Sequence, residues 1–593
     1  MVKGYKGGIK LKRKLVSVLL TTFLVSSLAA CTSPNETKET TTPSTSDVKA
    51  SATPEVKAPS TTSSTPTTGE DVAFARFPSP VDVHIGMVVD PTDKTLPQGD
   101  SVGNNQYTRY LKEKYNINII VDWTAATGND YKQKVSLSIA SAKLPDGMVV
   151  DDRSFMTKAA SSGLLYDITD SFNQYASSQV KEIMASTQGR ALENASFKGK
   201  MTSLPNITVD TDGVHIMWIR KDWLDKLNMP VPKTVADVEK TAKAFIDSKL
   251  GGDKTIGIAG PSKNTFPYAT FLVSSNNMGG FDPLFGALDA YPGYWLDNGN
   301  GSVTYGTTTD NTKKTLALLA DWYKKGLIDP EVGTRDNVGD PINANKAGIF
   351  FGPWWNGGYG NGDSFKNDPN ANWQAYPVYT DDGKWNTHMK TTGSTYTLIS
   401  KNAKPDVVKA ILIMNNALVR DEATFNLSVN VAWYPLRNVM AAANETEYEY
   451  TELLKVLNGQ KKPEDYNVPN SLYKLMYADA KKVQNVIKPP YDNLNVSNFD
   501  KTNFGDFQRL YSLMIGDRSF STIPINKKVF SVTYNQTPTM ETKWANLKKM
   551  EDETVLKIIL GQASIDTFDK FVKDWKAQGG DQITGEVAEL LKK

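Results

Sequence analysis

The chain has 593 residues, with 67 lysine and arginine residues against 65 aspartate and glutamate residues and a formal net charge of +2. Six of the cations lie in the first 14 residues, so the rest of the chain carries 61 cations against 65 acids and is slightly acidic. This balance argues against nucleic acid or a polybasic membrane patch as a partner, and the single cysteine and three histidines argue against disulfides and zinc clusters.

The N-terminal segment has the pattern of a secretory signal. A basic stretch is followed by an apolar run, Leu15 to Leu28, which is shorter than the roughly 20 residues of a membrane-spanning helix. The run ends Leu28-Ala29-Ala30-Cys31 and resembles the lipobox of bacterial lipoproteins. The resemblance implies that residues 1–30 are removed as a signal peptide, and that the thiol of Cys31 carries the lipid that holds the protein on the membrane.

A segment of biased composition follows the cysteine. Residues 32–70 are rich in serine, threonine and proline and contain no aromatic residue. Such a composition buries too little surface to offset the entropy of ordering the chain. We therefore predict a disordered tether over residues 31–75, beginning at the lipidated cysteine.

The next part of the chain alternates between strand and helix patterns. In chain order it predicts a strand, a helix, a strand, a helix and a strand, at residues 81–89, 107–115, 118–123, 131–139 and 148–150. This order predicts an α/β lobe with a largely parallel sheet. About 520 residues follow the tether, which is more than one hydrophobic core usually supports and predicts two lobes or more.

Two later helices have recognisable ends. Thr234 followed by Asp237 predicts a capping box at the start of one helix. The last helix has an apolar face that runs through Trp575, and we expect it to stop at Gly579 and the glycine after it.

Seven stretches together resemble the family-1 extracellular solute-binding proteins, in particular the large lipoprotein members of complex-sugar importers. They are residues 140–146, 197–205, 217–234, 321–331, 345–356, 371–384 and 568–587. The resemblance implies an α/β, two-lobe periplasmic-binding-protein type II fold with a hinge and an interlobe cleft that holds the ligand. It implies that lobe 1 is formed by residues 78–212 plus 388–440, and lobe 2 by residues 213–387 plus 441–593.

The resemblance also implies a function. The protein would capture an oligosaccharide and deliver it to the permease subunits of an ABC transporter, as a monomer anchored by lipid on the extracytoplasmic face of the cell membrane. It implies no enzymatic activity and no cofactor. Two alternatives stay open, namely a membrane-anchored glycoside hydrolase, since 65 acids allow many carboxylate pairs, and a ligand-sensing subunit of a signalling system.

Calcium is a specific question, because several large relatives carry a calcium loop rich in aspartate and asparagine after the helix that follows the Pro-Lys-Thr motif. Here Asp247 and Asp253 are the only acids of residues 245–255, and two lysines share the loop. Since calcium takes six or more oxygen ligands, we predict that it is not required.

A sugar-binding cleft needs aromatic faces and hydrogen-bonding side chains. The glycines and proline around Trp354 and Trp355 favour a loop, and the resemblance implies that this loop borders the cleft. Residues 430–437 form a second aromatic cluster, and Asp152 and Arg153 follow a buried strand at the edge where open sheets bind ligands, although a solvated turn is an equal alternative there. The predicted ligand-binding residues are Trp354, Trp355, Asn356, Tyr359, Trp433, Tyr434, Arg437, Asp152 and Arg153, with Trp123, Asn277 and Tyr396 as candidates for which ordinary packing is as good an explanation.

Overall fold

The computed structural model describes residues 69–126, 128–263, 265–274, 278–426 and 428–592. The predicted signal peptide, Cys31 and nearly all of the predicted tether lie outside the described residues. Within the described part, none of the helices combines the length and the apolar character that crossing a bilayer requires.

The described residues form 15 strands and 22 α-helices. The strands are β1 (Val81–Val89), β2 (Ile117–Ala126), β3 (Gly147–Val150), β4 (Ser196–Phe197), β5 (Lys200–Met201), β6 (Ser203–Pro205), β7 (Ile216–Arg220), β8 (Ile256–Ile258), β9 (Trp295–Asp297), β10 (Val303–Tyr305), β11 (Ala347–Gly352), β12 (Trp373–Tyr376), β13 (Asn386–His388), β14 (Tyr396–Ile399) and β15 (Lys527–Val529). The helices are α1 (Gly69–Ala73), α2 (Gln106–Tyr115), α3 (Asn129–Ala140), α4 (Arg153–Ser161), α5 (Thr169–Tyr175), α6 (Ser178–Ser186), α7 (Arg190–Ala195), α8 (Lys221–Lys226), α9 (Val235–Asp247), α10 (Asp282–Ala287), α11 (Asp310–Lys324), α12 (Gly339–Asn343), α13 (Asn356–Tyr359), α14 (Gly362–Asn367), α15 (Pro405–Asp421), α16 (Glu445–Leu457), α17 (Met476–Val486), α18 (Phe504–Tyr511), α19 (Arg518–Thr522), α20 (Pro538–Ile559), α21 (Thr567–Trp575) and α22 (Asp581–Ala588).

Lobe 1 is built on a five-stranded sheet in the order β2-β1-β3-β14-β6. β1 pairs in parallel with both β2 and β3, whereas β14 runs antiparallel to β3 and β6. The register between β1 and β2 shifts at Gly86, where the indole of Trp123 lies 2.1 Å from the position that a Cβ atom would occupy. The predicted alternation of strand and helix is confirmed here, and its parallel pairing follows because a helix connects each strand to the next.

Lobe 2 is built on a four-stranded sheet in the order β12-β7-β11-β8. β7 runs antiparallel to β11 and β12, and β8 lies parallel to β11. Every residue of β7 and β11 is buried, as expected of central strands that helices cover on both faces. Because β7 and β11 are antiparallel, the carboxyl end of β11 lies beside the start of β7. The chain enters lobe 2 at this same end of the sheet.

The two predicted helix ends are also present. Thr234 and Asp237 form a reciprocal capping box at the start of α9. Near the C-terminus, α21 ends at Trp575, and Gly579 interrupts the helical path with φ 136° before α22 begins. The two-lobe α/β architecture implied by the resemblance is confirmed, with separate hydrophobic cores around the two sheets.

Candidate functional site

Three segments pass between the lobes and run side by side as a hinge, at residues 206–215, 386–395 and 439–445. The Asn206 side-chain oxygen accepts hydrogen bonds from the backbone N–H groups of Ser394 and Thr395 at 2.8 and 2.7 Å. The third segment joins through Ile207, which donates to the carbonyl of Val439 at 2.9 Å. These bonds tie the crossing strands to one another while leaving each lobe its own core.

A cavity of about 720 Å³ lies beside this hinge, between the two lobes. Lobe 1 contributes the first turn of α4 and much of α7, and the hinge contributes residues 390–392. Lobe 2 contributes residues 530–538, Glu541 of α20 and Glu586 of α22. The volume lies within the range of roughly 300–1,000 Å³ that is usual for small-molecule sites, so this cleft is the candidate site.

The lobe 1 wall is organised around Arg153. Its Nε donates to the carbonyl of Asn194 at 2.7 Å and its Nη2 to that of Ser196 at 3.1 Å. The guanidinium thus caps the carbonyls at the end of α7, where a cation also complements the helix dipole. Burial lowers the pKa of Arg153, but a guanidinium stays charged under all ordinary conditions. The cleft therefore holds a fixed cation that is bound to backbone carbonyls on its protein side.

The hinge side of the cleft contains a buried lysine. The ammonium group of Lys390 donates to Thr208 Oγ1 at 2.6 Å and to the Thr391 carbonyl at 3.1 Å. Burial lowers the pKa of Lys390, and the charges of Asp212 and Asp210 oppose that shift. Lys390 lies in one hinge segment and donates to Thr208 in another, so it links the cleft to two segments of the hinge.

The lobe 2 wall carries the aromatic surface of the cleft. Phe530 is 40% exposed and lines the cavity. The Arg190 guanidinium of lobe 1 lies 5.2 Å from the centre of its ring, within the range of a cation–π contact. Nearby, the Tyr534 hydroxyl donates to the carbonyl of Met389 at 2.5 Å. Phe530 thus presents a ring to the cavity from a segment that is fixed to the hinge.

The carboxylate of Glu586 lines the same cavity, but both of its oxygens already accept hydrogen bonds from the protein. It accepts a hydrogen bond from the Thr539 backbone N–H at 3.1 Å and another from the Thr539 hydroxyl. Burial opposes ionisation of Glu586, but hydrogen bonds from Thr537 and Thr539 outweigh it and lower its pKa. A general acid for glycoside cleavage needs the opposite shift, so this carboxylate suits hydrogen bonding instead of proton donation.

The predicted tryptophan segment lies outside the cleft lining. Trp354 and Trp355 form a turn after β11, whereas Asn356 and Tyr359 belong to the short helix α13, where the sequence predicts a loop. Trp354 follows β11, is 5% exposed and donates its indole N–H to Asp212 of the hinge at 3.0 Å. Trp355 is partly buried, and Asn356 is fully buried against Gly352. The fourth predicted residue of the segment, Tyr359, is 57% exposed. None of these four described residues lines the cavity.

The second aromatic cluster, residues 430–437, packs on lobe 1. The Tyr434 hydroxyl donates to the Met414 carbonyl at 2.8 Å inside the lobe 1 core, and the Trp433 indole N–H donates to Thr95 Oγ1 at 3.2 Å. Arg437 is likewise largely buried, and burial lowers its pKa. None of these three described residues is part of the cavity lining, and their assignment to the ligand stays a prediction.

The remaining predicted residues differ in where they lie. Asp152 caps α4 by accepting from the Ser154 N–H at 2.7 Å. Tyr396 is buried beside it at the start of β14, and burial raises its pKa to about 12. Trp123 packs on Tyr131, with ring centres 5.7 Å apart. Asn277 lies outside the described residues. Among the predicted positions that the structure describes, Arg153 alone lines the cavity.

The sequence reasoning missed most of the cleft wall. The segment Phe530-Ser531-Val532-Thr533-Tyr534-Asn535-Gln536 mixes aromatic and amide side chains in the same way as residues 430–437. That composition was the available signal, but it does not distinguish a cleft wall from a packed loop. The lobe 1 contributions from α7 carry no comparable sequence signal.

The acids of residues 245–255 form ion pairs with lysines. Lys243 Nζ lies 2.7 Å from Asp247, and Lys249 Nζ lies 2.9 Å from Asp253. Among the residues that the structure describes, no group of three or more acidic, histidine or cysteine side chains is arranged to hold a metal ion. The absence of a calcium requirement stays a prediction.

The chain is similar in sequence to a family of bacterial proteins. The family model described as bacterial extracellular solute-binding protein matches residues 97–414. The fructooligosaccharide ABC transporter substrate-binding protein FusA of Streptococcus pneumoniae is 28% identical over 227 residues, covering 36% of this chain and 40% of that protein. The match therefore spans less than half the length of that relative.

Two further proteins are similar over longer stretches. The polygalacturonan/rhamnogalacturonan-binding protein YtcQ of Bacillus subtilis is 21% identical over 473 residues, covering 78% of this chain and 83% of that protein. The solved structure of an HMO-binding, ABC-transporter-associated solute-binding protein from Bifidobacterium longum infantis superposes with a TM-score of 0.54 at 17% identity. It covers 87% of this chain and 99% of that protein and shows the same fold.

Proposed function

Because the chain belongs to the family of bacterial extracellular solute-binding proteins, we propose that it captures an oligosaccharide between its lobes and delivers it to the permease of an ABC importer. The observation that carries this proposal is the cavity of about 720 Å³, whose walls come from both lobes and from the hinge. A ligand held by both walls stabilises the closed arrangement by its differential affinity for the two states. The closed form is the one that a permease would recognise.

The chemistry of the walls supports a carbohydrate ligand. Phe530 offers an exposed ring for the C–H face of a sugar, and the amides of Asn535 and Gln536 offer donors and acceptors for hydroxyl groups. The names of two similar proteins, a fructooligosaccharide-binding and a polygalacturonan-binding protein, point to the same class. We therefore propose an oligosaccharide without naming the sugar.

We propose binding without cleavage. Glu586 has a lowered pKa and its oxygens accept from Thr539, which disfavours the acid role that a retaining or inverting glycosidase requires. Incubation of the pure protein with its tightest ligand, followed by chromatography of the sugar, tests this. Appearance of shorter products at more than a trace level would support the hydrolase alternative.

The first experiment is a thermal-shift screen of the protein against fructo-oligosaccharides, oligogalacturonides and other plant, fungal and bacterial oligosaccharides. A ligand present at about 100 times its Kd stabilises the folded state by about 2.7 kcal/mol, which is readily visible as a rise in Tm. If every carbohydrate class leaves the Tm unchanged while a peptide or a nucleoside raises it, the proposed ligand class is wrong.

The location and boundaries complete the proposal. We propose that Cys31 carries a lipid anchor on the extracytoplasmic face of the membrane, with a tether between it and a monomeric receptor. The tether is shorter than the predicted residues 31–75, because residues 69–73 form α1 and Ala73 is fully buried. We further propose the lobe boundaries stated above, 78–212 plus 388–440 and 213–387 plus 441–593. The third hinge segment, where Ala441 donates to the carbonyl of Ile207 at 2.9 Å, supports the boundary near residue 440.

A further inference from the structure

A second depression on lobe 2 continues the cleft along α20. It has a volume of about 470 Å³, roughly two thirds of that of the cleft itself. One wall is the turn formed by residues 270–273, and the other is α20 between Trp544 and Glu553. Gln536 lines both the cleft and this depression, so the two spaces meet at its side chain. We call the second space the α20 groove.

One face of α20 borders both spaces. Glu541 faces the cleft, and Ala545, Lys548 and Asp552 face the groove. These positions are three or four residues apart and therefore lie on one face of the helix. With a rise of 1.5 Å per residue, the distance from Glu541 to Asp552 is about 17 Å along the helix axis. The lined path is thus considerably longer than the cleft alone.

The groove has an apolar side chain held in solvent. Val273 is 64% exposed, although its backbone is fixed, since Thr270 and Val273 exchange both N–H to carbonyl hydrogen bonds at 3.0 Å. Phe271 anchors the turn by packing edge-on against Trp544, with ring centres 5.1 Å apart. Val273 therefore lies on a hydrogen-bonded turn and, with Leu272 and Trp544, gives the groove an apolar lining.

The rim of the groove supplies groups that can bond to hydroxyls. Lys549 has a side chain that is 76% exposed, and its Nζ lies 4.0 Å from Glu553, so this ion pair is loose. Lys548 is held over the ring of Phe266 at 3.6 Å from its centre. An apolar floor with a polar rim is the surface that a sugar chain requires, since one face of each ring is C–H and its edge is hydroxyl.

Because Gln536 borders both spaces and one face of α20 runs along both, we propose that the α20 groove is a distal subsite for the further residues of the same carbohydrate chain whose end lies in the cleft. This proposal rests on the proposed function and adds a length requirement to it. Ligands that fill only the cleft leave the groove empty, whereas longer chains contact both. Affinity should therefore rise with chain length beyond the point at which the cleft is full.

The test uses calorimetric titration of the protein with two chain-length series, fructo-oligosaccharides and oligogalacturonides, each from the disaccharide to the octasaccharide. The variant Val273→Asp places a charge on the floor of the groove at an exposed position. Val468→Asp is the matched control, because Val468 is a similarly exposed valine, 58% exposed, that is not part of either lining.

We expect Val273→Asp to weaken the binding of the longest bound chain about tenfold and to leave the shortest bound chain unchanged, with Val468→Asp indistinguishable from the parent for both. Equal affinity for all bound lengths, or an equal effect of Val273→Asp on short and long chains, would overturn the distal subsite. Unchanged affinities with a loss of cellular uptake would also overturn it and assign the groove to permease contact. Failure of both series to bind at all would count against the proposed function and, with it, against the distal subsite.

Discussion

The ring of Phe530 gives the sharpest test of where the ligand binds. A phenylalanine side chain offers roughly 200 Å² of surface, so 40% exposure leaves about 80 Å² for a sugar to cover. At about 25 cal/mol per Å², covering that area contributes about 2 kcal/mol. Phe530→Ala should therefore raise the Kd of the bound oligosaccharide about 30-fold.

The fold should tolerate this substitution. The contact of Phe530 with Arg190 is an exposed cation–π pair, of a kind that contributes about 0.5–1 kcal/mol. Titration calorimetry gives the Kd, and thermal melting checks that the unliganded variant is folded. The matched control is Tyr359→Ala, because Tyr359 is also an exposed aromatic residue of lobe 2, and it was predicted from the sequence to bind ligand.

The two variants have opposite expected results. Tyr359→Ala should bind like the parent, since its ring lies outside the cavity lining. If Tyr359→Ala weakens binding and Phe530→Ala does not, the cleft assignment is refuted and the loop after β11 has to be reconsidered as the ligand surface.

Four further predictions concern the anchor, metal, hinge and pH. Cys31→Ser should move the protein from the membrane fraction to the medium on cell fractionation, and retention with the membranes would contradict the lipid anchor. A chelator should leave the Tm unchanged, so a fall of several degrees that calcium reverses would show that oxygen ligands have gone unrecognised. Trp354→Ala should cost roughly 3–5 kcal/mol in the free energy of unfolding, because it removes a buried indole and its bond to Asp212, and denaturation with urea measures this. Burial lowers the pKa of His388, against the opposing charge of Asp282, so the unfolded chain takes up the proton more readily. The stability contributed by the neutral imidazole is complete above about pH 6.5 and is lost as the pH falls, and His388→Gln should flatten the dependence of Tm on pH in that range.

The sequence predicts a strand or a helix well where its buried residues repeat at a regular spacing along the chain. The strands β1, β2 and β3 and the helices between them were predictable because each alternates or repeats its apolar residues at the period of its own structure. The capping box of Thr234 and Asp237 was predictable for the same reason, since all of its hydrogen bonds are made within four residues. The place of β14 between β3 and β6 has no such local signal, and the family resemblance implied only that residues 388–440 belong to lobe 1.

The candidate site was harder to predict because its residues are selected by distant partners. Trp354 is of a residue type that can stack on a sugar, but its indole N–H donates a hydrogen bond to Asp212, 142 positions away. Tyr434 is an equally plausible stacking residue by its type, but its hydroxyl donates to the Met414 carbonyl inside the lobe 1 core. Conversely, Phe530 stands out only through its exposure, which no periodicity reports.

The placement of β14 affects how the chain folds during its synthesis. Met148 in β3 pairs with Leu398 in β14, 250 residues later, and the whole of the lobe 2 sheet lies between them in the chain. Contacts of such long separation form slowly, because a large loop has to close before they stabilise anything. A nascent chain that has reached lobe 2 still carries an open edge on β3, which is a template for wrong strand pairing. Expression fragments cut between the lobes should therefore aggregate, and a soluble lobe 1 requires a direct fusion of residues 78–212 to residues 388–440.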